Sequence, residues 1–315
     1  MSQIDRAVDL LRTGELIGLP TETVYGLAAD ASNPAAVEKI FTLKDRPANH
    51  PVIVHIAEVA KLADWAVISS DRVNQLAERF WPGPLTLVLP RQPWVSTAIT
   101  GGQESVALRV PSHPVAQQVL QRFGGGVVAP SANRFGRISP TRAQHVIEEF
   151  GDAVELVVDG GDCQVGLEST ILSLVNHAEL LRPGSIPVEE IEQLIGEPVG
   201  RENRSGQRAP GLLERHYSPR TRAILVPGEQ MAALIDLREV DGVKIGVLAF
   251  SQQDWGGSRV ERLGNDPELY SRQLYAALRR LDHPSIDLIL VEQPPQTPSW
   301  LAINDRLTRA TRPLE

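Results

Sequence analysis

The chain has 315 residues, of which 42% are hydrophobic, so it can bury a substantial core, and its length predicts two domains. Its formal net charge of −8 excludes a global basic field for nucleic acid or anionic lipid, and leaves local clusters of Arg and Lys as the only sites for polyanions. The single cysteine, Cys163, excludes a disulfide framework and a Cys-based zinc site, and a reducing cytosol suits it.

The first half of the chain alternates helical and strand-like segments, which predicts an α/β fold with a sheet and packed helices. Apolar residues at helical spacing, or an Asn-Pro start as at Asn33, predict helices at residues 2–13, 33–43, 71–79, 114–123 and 142–150. Short apolar runs predict strands at residues 15–19, 51–56, 85–89, 106–110, 126–129, 156–158 and 170–174.

The composition changes near residue 200. The run GRENRSGQRAPG at residues 200–211 is polar and punctuated by Gly and Pro, which is typical of a linker. Beyond it, strands at 223–226, 244–250 and 286–291 alternate with helices at 230–238, 267–281 and 299–311, and this predicts a small parallel sheet. The predicted organisation is a domain at 1–200, a linker at 201–220 and a second domain at 221–315.

Neither a leader nor a membrane anchor is expected. The N-terminal segment is polar and amphipathic and lacks the apolar core of a signal peptide. No run of residues approaches the roughly 18 apolar residues that a membrane span needs. The sequence therefore predicts a cytoplasmic protein.

Arg109 is a charged residue inside the predicted strand VALRV. Its guanidinium stays ionised, so in a half-buried strand it needs an anionic partner. Two interpretations are open: a structural ion pair with Asp or Glu, or a bidentate clamp for a substrate carboxylate or phosphate.

Further polar residues at the ends of elements leave a similar choice. Lys44 and Arg46 close a predicted helix at KDRP, where cations suit the helix C-terminus or could form a paired site for phosphates. His55 ends a predicted strand as either a satisfied core residue or a ligand. Strand-end residues that either form turns or line a pocket are Thr21, Glu22, Thr23, Ser131, Asn133, Glu168, Ser169 and Thr170.

The sequence shows no pattern for covalent catalysis. Walker A, kinase, HExxH and G-x-S-x-G patterns are missing, as is the dinucleotide fingerprint GxGxxG after the strand at 223–226. An enzyme with this sequence is expected to work by positioning and charge neutralisation. His216 and Tyr217, in ERHYSPRT, have no packing reason that the sequence reveals.

Taken together, the segments resemble the YrdC/Sua5 family over residues 1 to 190. The motifs, in family order, are PTETVYGLAADA, KDRP and HPVIVHI, FWPGPLTLVL, ALRVPSHP, APSANRFGRISPT, GLESTIL and LRPGSI. The later segment APGLLERHYSPRT and the DRL of residues 305–307 are similar to the linker and C-terminal domain of the long Sua5 form. The resemblance implies a YrdC-like twisted sheet with a concave cavity, followed by a small Rossmann-like parallel domain.

The resemblance also implies an activity. Family members join L-threonine, bicarbonate and ATP, with Mg2+ arriving on ATP, into threonylcarbamoyl-AMP and pyrophosphate. A separate transferase complex then modifies adenosine 37 of tRNAs that read ANN codons. The chemistry agrees with the residues, because two anionic reactants need cations to meet and phosphoryl-type transfer needs little covalent help. A closed site would protect the carbamate from loss of CO2.

By motif position, the resemblance implies contacts for each substrate and two catalytic residues. L-threonine is expected at Thr23, His55, Arg109, Ala129 and Ser169, with Arg109 on the carboxylate. Catalysis is expected from Lys44 and Arg46. Expected ATP contacts are Arg46, His50, Ser105, Ser131, Asn133, Ser139, Arg182 and Tyr217. No residues are expected to form a dedicated metal site.

This chain departs from the family pattern in two places. His50 stands where the family commonly has Asn, and Ser299 and Trp300 replace glycines of the final helix. The linker, which ends in HYSP, is expected to act as a lid over the nucleotide.

Three alternatives stay open at this point. A non-catalytic module for double-stranded RNA fits YrdC-like domains but not the acidic balance of this chain. Weak binding of tRNA is expected of the synthase itself. A carbamoyl-transfer enzyme of the hydrogenase-maturation type would need more cysteines and a longer chain. A synthase for another amino acid is the third alternative, because the size of the substrate pocket is not readable from the sequence.

Overall fold

The computed structural model describes residues 2–203 and 205–312, which form two compact units. The first comprises Met1–Phe135, Pro140–Gln164 and Glu168–Leu212, and the second comprises Gly136–Ser139, Val165–Leu167 and Leu213–Glu315. The division at Leu212 lies within the predicted linker. The predicted domain boundaries at residues 200 and 220 stay a prediction.

Side-chain caps start several helices of the first unit. Ser2 forms a capping box with Asp5, and Asn33 caps the next helix with Pro34 at its first position, as the sequence predicts. The helices are α1 Gln3–Arg12, α2 Pro34–Lys44, α3 Leu62–Trp65, α4 Asp71–Phe80, α5 Thr97–Thr100, α6 Pro114–Phe123, α7 Ala143–Phe150 and α8 Val188–Ile195.

The strands of the first unit form one mixed sheet. Its order within the described residues is β7-β1-β2-β6-β3-β5-β4-β8-β9. The β3 and β5 strands are parallel, whereas β4 runs antiparallel to β5 and parallel to β8. The strands are β1 Ile17–Leu19, β2 Gly26–Asp30, β3 Ile53–His55, β4 Leu85–Pro90, β5 Ser105–Arg109, β6 Val127–Val128, β7 Leu156–Val157, β8 Thr170–Ser173 and β9 Glu179–Arg182.

Alternation of side chains gives the centre of this sheet two different faces. One face carries Val54, Leu87 and Leu108, which are buried in the main hydrophobic core of the unit. The residues between them along each strand point to the other face, where a small apolar cluster surrounds polar side chains. This cluster contains Ile53, Val88, Ala107, Ile171, Leu181 and Ala209.

The second unit is a parallel α/β layer. Its strands are β10 Arg222–Val226, β11 Ile245–Ala249, β12 Arg259–Arg262 and β13 Leu288–Glu292, in the order β10-β13-β11-β12, and every pairing is parallel. Its helices are α9 Gly228–Val240, α10 Pro267–Leu281 and α11 Leu301–Ala310. Asp266 caps α10, whose bounds match those predicted.

The structure corrects several sequence predictions. Four elements of regular structure were missing from them: β2, β9, β12 and α8, in addition to the one-turn helices α3 and α5. The parallel sheet of the second unit has four strands within the described residues, because polar β12 pairs with β11. The final helix begins at Leu301 after a short 3-10 turn at Pro298–Trp300.

Across the described residues, no helix is both long and apolar enough to cross a membrane.

Candidate active site

Three neighbouring strands place polar side chains on the face opposite the main core. The register of β3 and β5 pairs His55 with Arg109. Because Leu87 of β4 lies opposite Leu108 of β5, Thr86 falls opposite Arg109. His55, Arg109 and Thr86 therefore form one row across the sheet, and each is at most 3% exposed.

The Arg109 guanidinium is held from three sides. Its Nε donates to the Gly83 carbonyl at 3.2 Å, and its Nη1 donates to Thr23 Oγ1 at 2.8 Å. Its Nη2 forms an ion pair with Glu22 Oε1 at 2.7 Å. The structural ion pair of the sequence analysis is therefore present. Arginine has more N–H groups than these contacts use, so Arg109 can also bind a carboxylate.

The charges in this row balance. Burial would raise the pKa of Glu22, but the charge and hydrogen bonding of Arg109 outweigh burial and hold that pKa below its usual value. Burial, reinforced by the charge of Arg109 and partly offset by Glu22, lowers the pKa of His55 to about 3. At neutral pH, Glu22 is thus anionic and His55 is neutral, so the pair Arg109–Glu22 leaves no net charge.

Ser169 extends the row of polar side chains beyond Thr86. It directly precedes β8, and its Oγ lies 2.7 Å from Thr86 Oγ1. Arg182 on β9 donates to the Ser169 carbonyl from Nε at 3.1 Å and from Nη2 at 3.0 Å. These bonds bring Arg109, Ser169 and Arg182 into one buried polar layer.

Lys44 joins the end of α2 to the APSAN loop. Its Nζ donates to the Ser131 carbonyl at 2.5 Å and to the Asn133 carbonyl. Burial, reinforced by the charge of Arg46 and partly offset by Glu149, holds the pKa of Lys44 well below its usual value. Lys44 is the last residue of α2, as the sequence predicts. It is only 1% exposed, however, whereas a lysine that merely ends a helix is normally solvated.

The APSAN loop begins beside the row. Ala129 follows β6, and its backbone N donates to the Ile53 carbonyl at 3.2 Å. Ser131 forms a bridge to Gly26, and the Asn133 side chain donates to the Arg134 carbonyl at 2.7 Å. The chain thus leads directly from the strand that pairs with His55 to the carbonyls that Lys44 contacts.

Arg46 and His50 share an aromatic neighbour. The Arg46 guanidinium lies 5.5 Å from the centre of the Phe135 ring, and its Nη2 donates to the Pro51 carbonyl at 2.8 Å. The His50 ring contacts the same Phe135 edge-on at 5.2 Å. Burial and the charges of Arg46 and Arg208 lower the pKa of His50.

The first part of the predicted linker is bound to this unit. Gln207 Oε1 accepts from Ser105 Oγ at 2.8 Å, and the Pro210 carbonyl accepts from Arg182 Nη1 at 3.0 Å. Ala209 belongs to the apolar cluster on the same face. Two predicted ATP contacts, Ser105 and Arg182, therefore touch the linker directly.

Two predicted ATP contacts, Ser139 and Tyr217, belong to the second unit. Both are buried, and Tyr217 has a left-handed backbone with φ 62°. The Tyr217 ring stacks on Tyr275 at 5.8 Å, with the Arg306 guanidinium 5.2 Å from its centre. Tyr217 thus has the packing partners that the sequence did not reveal.

Two residues of this site, Thr86 and Gln207, were not predicted from the sequence. Glu22 was predicted only as one of several polar residues that could line a pocket, without a partner. Thr86 gave a signal, since it is a polar residue inside the apolar strand LTLVL. No local pattern could link Glu22 with Arg109, or Gln207 with Ser105, because each pair is far apart in sequence.

The described residues contain no cluster of three or more His, Cys, Asp or Glu side chains able to hold a metal ion.

Two family models match the chain. The Sua5_yciO_yrdC model, described as telomere recombination, matches residues 9–184. A second model, described as threonylcarbamoyl-AMP synthase, C-terminal domain, matches residues 186–311.

Similar proteins span the whole chain. The threonylcarbamoyl-AMP synthase of Pyrococcus abyssi is 40% identical, over 97% of this chain and 93% of that protein. That of Bacillus subtilis is 39% identical, over 98% and 92%. A crystal structure of P. abyssi Sua5 complexed with L-threonine superposes with a TM-score of 0.91 at 38% identity, covering 100% of this chain and 97% of that one. The predicted fold class is confirmed.

Proposed function

The chain belongs to the Sua5/YciO/YrdC family, and on that premise we propose that it is a threonylcarbamoyl-AMP synthase. It joins L-threonine, bicarbonate and ATP into threonylcarbamoyl-AMP and releases pyrophosphate. The product supplies the threonylcarbamoyl group for adenosine 37 of tRNA. The observation that carries the proposal is the buried row of His55, Arg109, Thr86 and Ser169, which offers a cation and hydroxyl groups to one small anion.

The amino acid binds in this row. Arg109 pairs with the carboxylate through the N–H groups that Gly83, Thr23 and Glu22 leave over. Thr23, His55, Ser169 and the Ala129 backbone surround the rest of the molecule. Because Arg109 is fixed by protein contacts before the substrate arrives, little side-chain entropy is lost on binding.

ATP binds beside the amino acid. Lys44 and Arg46 face the reacting phosphates, and their positive charge offsets the negative charge on the oxygens of the pentacoordinate transition state. The remaining contacts are His50, Ser105, Ser131, Asn133, Ser139, Arg182 and Tyr217. Mg2+ arrives with the phosphates of ATP, and no step is assigned to a protein-bound metal.

The reaction has two steps. The threonine ammonium gives up one proton to become an amine, and the amine nitrogen bonds to the carbon of bicarbonate. The hydroxyl group of bicarbonate leaves with a second proton of the nitrogen as water, which gives a carbamate. A carbamate oxygen then attacks the α-phosphorus in line, and the bond to pyrophosphate breaks. Lys44 and Arg46 bring two anions together, so positioning replaces covalent catalysis.

The linker closes the site in this proposal. Its support is the contact of Gln207 with Ser105 and of Pro210 with Arg182, two residues assigned to ATP. A closed site keeps water from the carbamate. Removal of residues 201–315 is expected to slow product formation or to release CO2 early, and unchanged single-turnover kinetics would reject the lid.

The function is tested by pyrophosphate release across a panel of amino acids, with and without bicarbonate. Release that requires threonine and bicarbonate together supports the synthase, whereas a stronger response to another amino acid changes the substrate. The RNA-binding alternative predicts that the protein forms neither pyrophosphate nor an adenylate and binds double-stranded RNA with an affinity that depends on salt.

We further propose a cytoplasmic location and a place upstream of a tRNA-modifying transferase complex. The product is a mixed anhydride, which a second enzyme must consume before water does. A chain with a net charge of −8 is expected to bind tRNA only weakly.

A further inference from the structure

Glu22 is a buried carboxylate to which the reaction above assigns no task. It is 6% exposed and lies in the loop between β1 and β2, next to Thr23. Its Oε1 pairs with Arg109 Nη2 at 2.7 Å. Apart from this ion pair, its oxygens have no hydrogen-bond partner within the described residues, and the backbone N–H groups of Glu22 and Ser112 contribute to the lowering of its pKa.

The row around Glu22 leaves buried polar atoms of both charges open to a ligand: Glu22 oxygens and N–H groups of Arg109. The Nδ1 atom of His55 is buried and has no hydrogen-bond partner within the described residues, and the second oxygen of Glu22 is in the same condition. Arg109 supplies N–H groups and a positive charge on the other side. A ligand that fills both needs must carry an anionic acceptor and a cationic donor.

The net charge of the row leads to the same ligand. Arg109 and Glu22 cancel, and burial keeps His55 neutral. A zwitterion enters such a site without leaving an uncompensated charge. A simple carboxylate would leave Glu22 competing with it for Arg109, and a buried unpaired charge is strongly unfavourable.

We propose that Glu22 is a positioning residue that makes the amino-acid site select a zwitterion over a plain carboxylate of the same shape. It holds Arg109 at one edge and supplies the negative charge that balances the α-ammonium group. The inference rests on the proposed function, because it concerns the same amino-acid site. It adds the residue that enforces the ammonium group: with Glu22 in place, the site rejects a hydroxy acid of the same shape that lacks the amine.

The test compares two ligands by titration calorimetry on the full chain. L-Threonine and (R)-3-hydroxybutyrate share the carboxylate, the hydroxyl and the methyl group and differ in the ammonium. Wild type should bind threonine tighter by about tenfold or more. Glu22→Gln should reduce that preference by about tenfold or more, because it removes the charge and keeps the shape.

Two further variants separate selectivity from stability. Glu22→Asp keeps the charge and should keep the preference for threonine, even if it binds both ligands more weakly. Glu104→Gln is the matched control, since its carboxylate pairs with Arg91 at the surface, and its ligand preference should equal that of wild type.

Two results would overturn the inference. One is a wild-type protein that binds the two ligands equally, and this needs no variant that might fail to fold. The other is a Glu22→Gln protein that loses affinity for both ligands by the same factor, as a purely structural role predicts. If wild type forms threonylcarbamoyl-AMP while either result holds, the proposed function stands and only the role of Glu22 is wrong. If wild type binds no threonine, both fail.

Discussion

His55 makes the stability of the first unit depend on pH, and its surroundings give the size of the effect. Its side chain is 2% exposed on β3, in register with Arg109. Burial first, and the charge of Arg109 second, lower the pKa of His55 from 6.5 to about 3. The unfolded chain therefore takes up this proton near neutrality, and the folded protein takes it up only in strong acid.

The sign follows from proton binding. Between the two pKa values the unfolded state holds more protons, so the free energy of unfolding falls as the pH falls. A shift of one pKa unit corresponds to about 1.4 kcal/mol, so the loss between neutral pH and about pH 5 is about 2 kcal/mol. The loss continues until the pH approaches the folded value of about 3.

The assay is urea unfolding of wild type and of His55→Gln at neutral pH and at about pH 5. Hydrogen exchange of peptides from β3 and β5 reports the first unit alone. Other acidic and basic groups affect both proteins, so the difference between their two pH-dependent losses isolates His55. We expect wild type to lose about 2 kcal/mol more than the variant. Equal losses in the two proteins would refute the buried, neutral state of His55.

Three further predictions concern ligands. Arg109→Ala should raise the KM for threonine by at least about 30-fold, because the variant loses the cation that pairs with the substrate carboxylate. In steady-state kinetics the KM for ATP should stay nearly unchanged. A change confined to the KM for ATP would contradict the assignment of Arg109. The depressed pKa of Lys44 should rise when ATP phosphates bind beside it, so ATP binding should take up a proton there. Calorimetry in buffers of different ionisation enthalpy, repeated over a series of pH values, should detect this uptake in wild type and not in Lys44→Met. Ser169→Ala should weaken threonine binding by about tenfold, because it removes a hydroxyl held by Thr86 and Arg182, and an unchanged dissociation constant would exclude Ser169 from the site.

Much of the fold could be predicted where local signals are strong. The bounds of α6 and α10 match because Pro begins each helix behind a capping residue and apolar residues recur at helical spacing. The strand β2 was missed because GLAAD has none of the β-branched residues typical of strands; pairing with β1 and β6 makes it a strand. The helix α8 carries apolar Val188, Ile191 and Ile195 at helical spacing, a signal that was available and unused.

In the site, too, single residues could be predicted from local signals and their partners could not. Arg109 was recognisable as a charged residue in a buried strand, and the need for an anionic partner follows from the chemistry of guanidinium. That the partner is Glu22 could not be predicted, because the two residues meet only after the sheet has formed. The sequence left a structural and a functional role for Arg109 as alternatives, and the structure allows both, since one ion pair does not use all its donors.

The contacts of the linker could not be predicted from its composition. Its Gly and Pro residues predict a boundary between domains, but they do not predict which surface the linker packs against. In the structure, Ala209 lies in the apolar cluster of the first unit and Gln207 bonds to Ser105. These contacts depend on a surface that distant strands create, so composition alone could not reveal them.

The proposed reaction joins threonine, bicarbonate and ATP on this chain. Incubation with ATP, L-threonine and carbon-13 bicarbonate, followed by mass spectrometry of the quenched mixture, would detect its product. We expect an adenylate that contains threonine and carries the carbon-13 label, formed by wild type and strongly reduced in Arg109→Ala at a threonine concentration below the KM of the variant. Pyrophosphate release without a labelled adenylate, or an unlabelled threonyl adenylate, would contradict the proposed reaction.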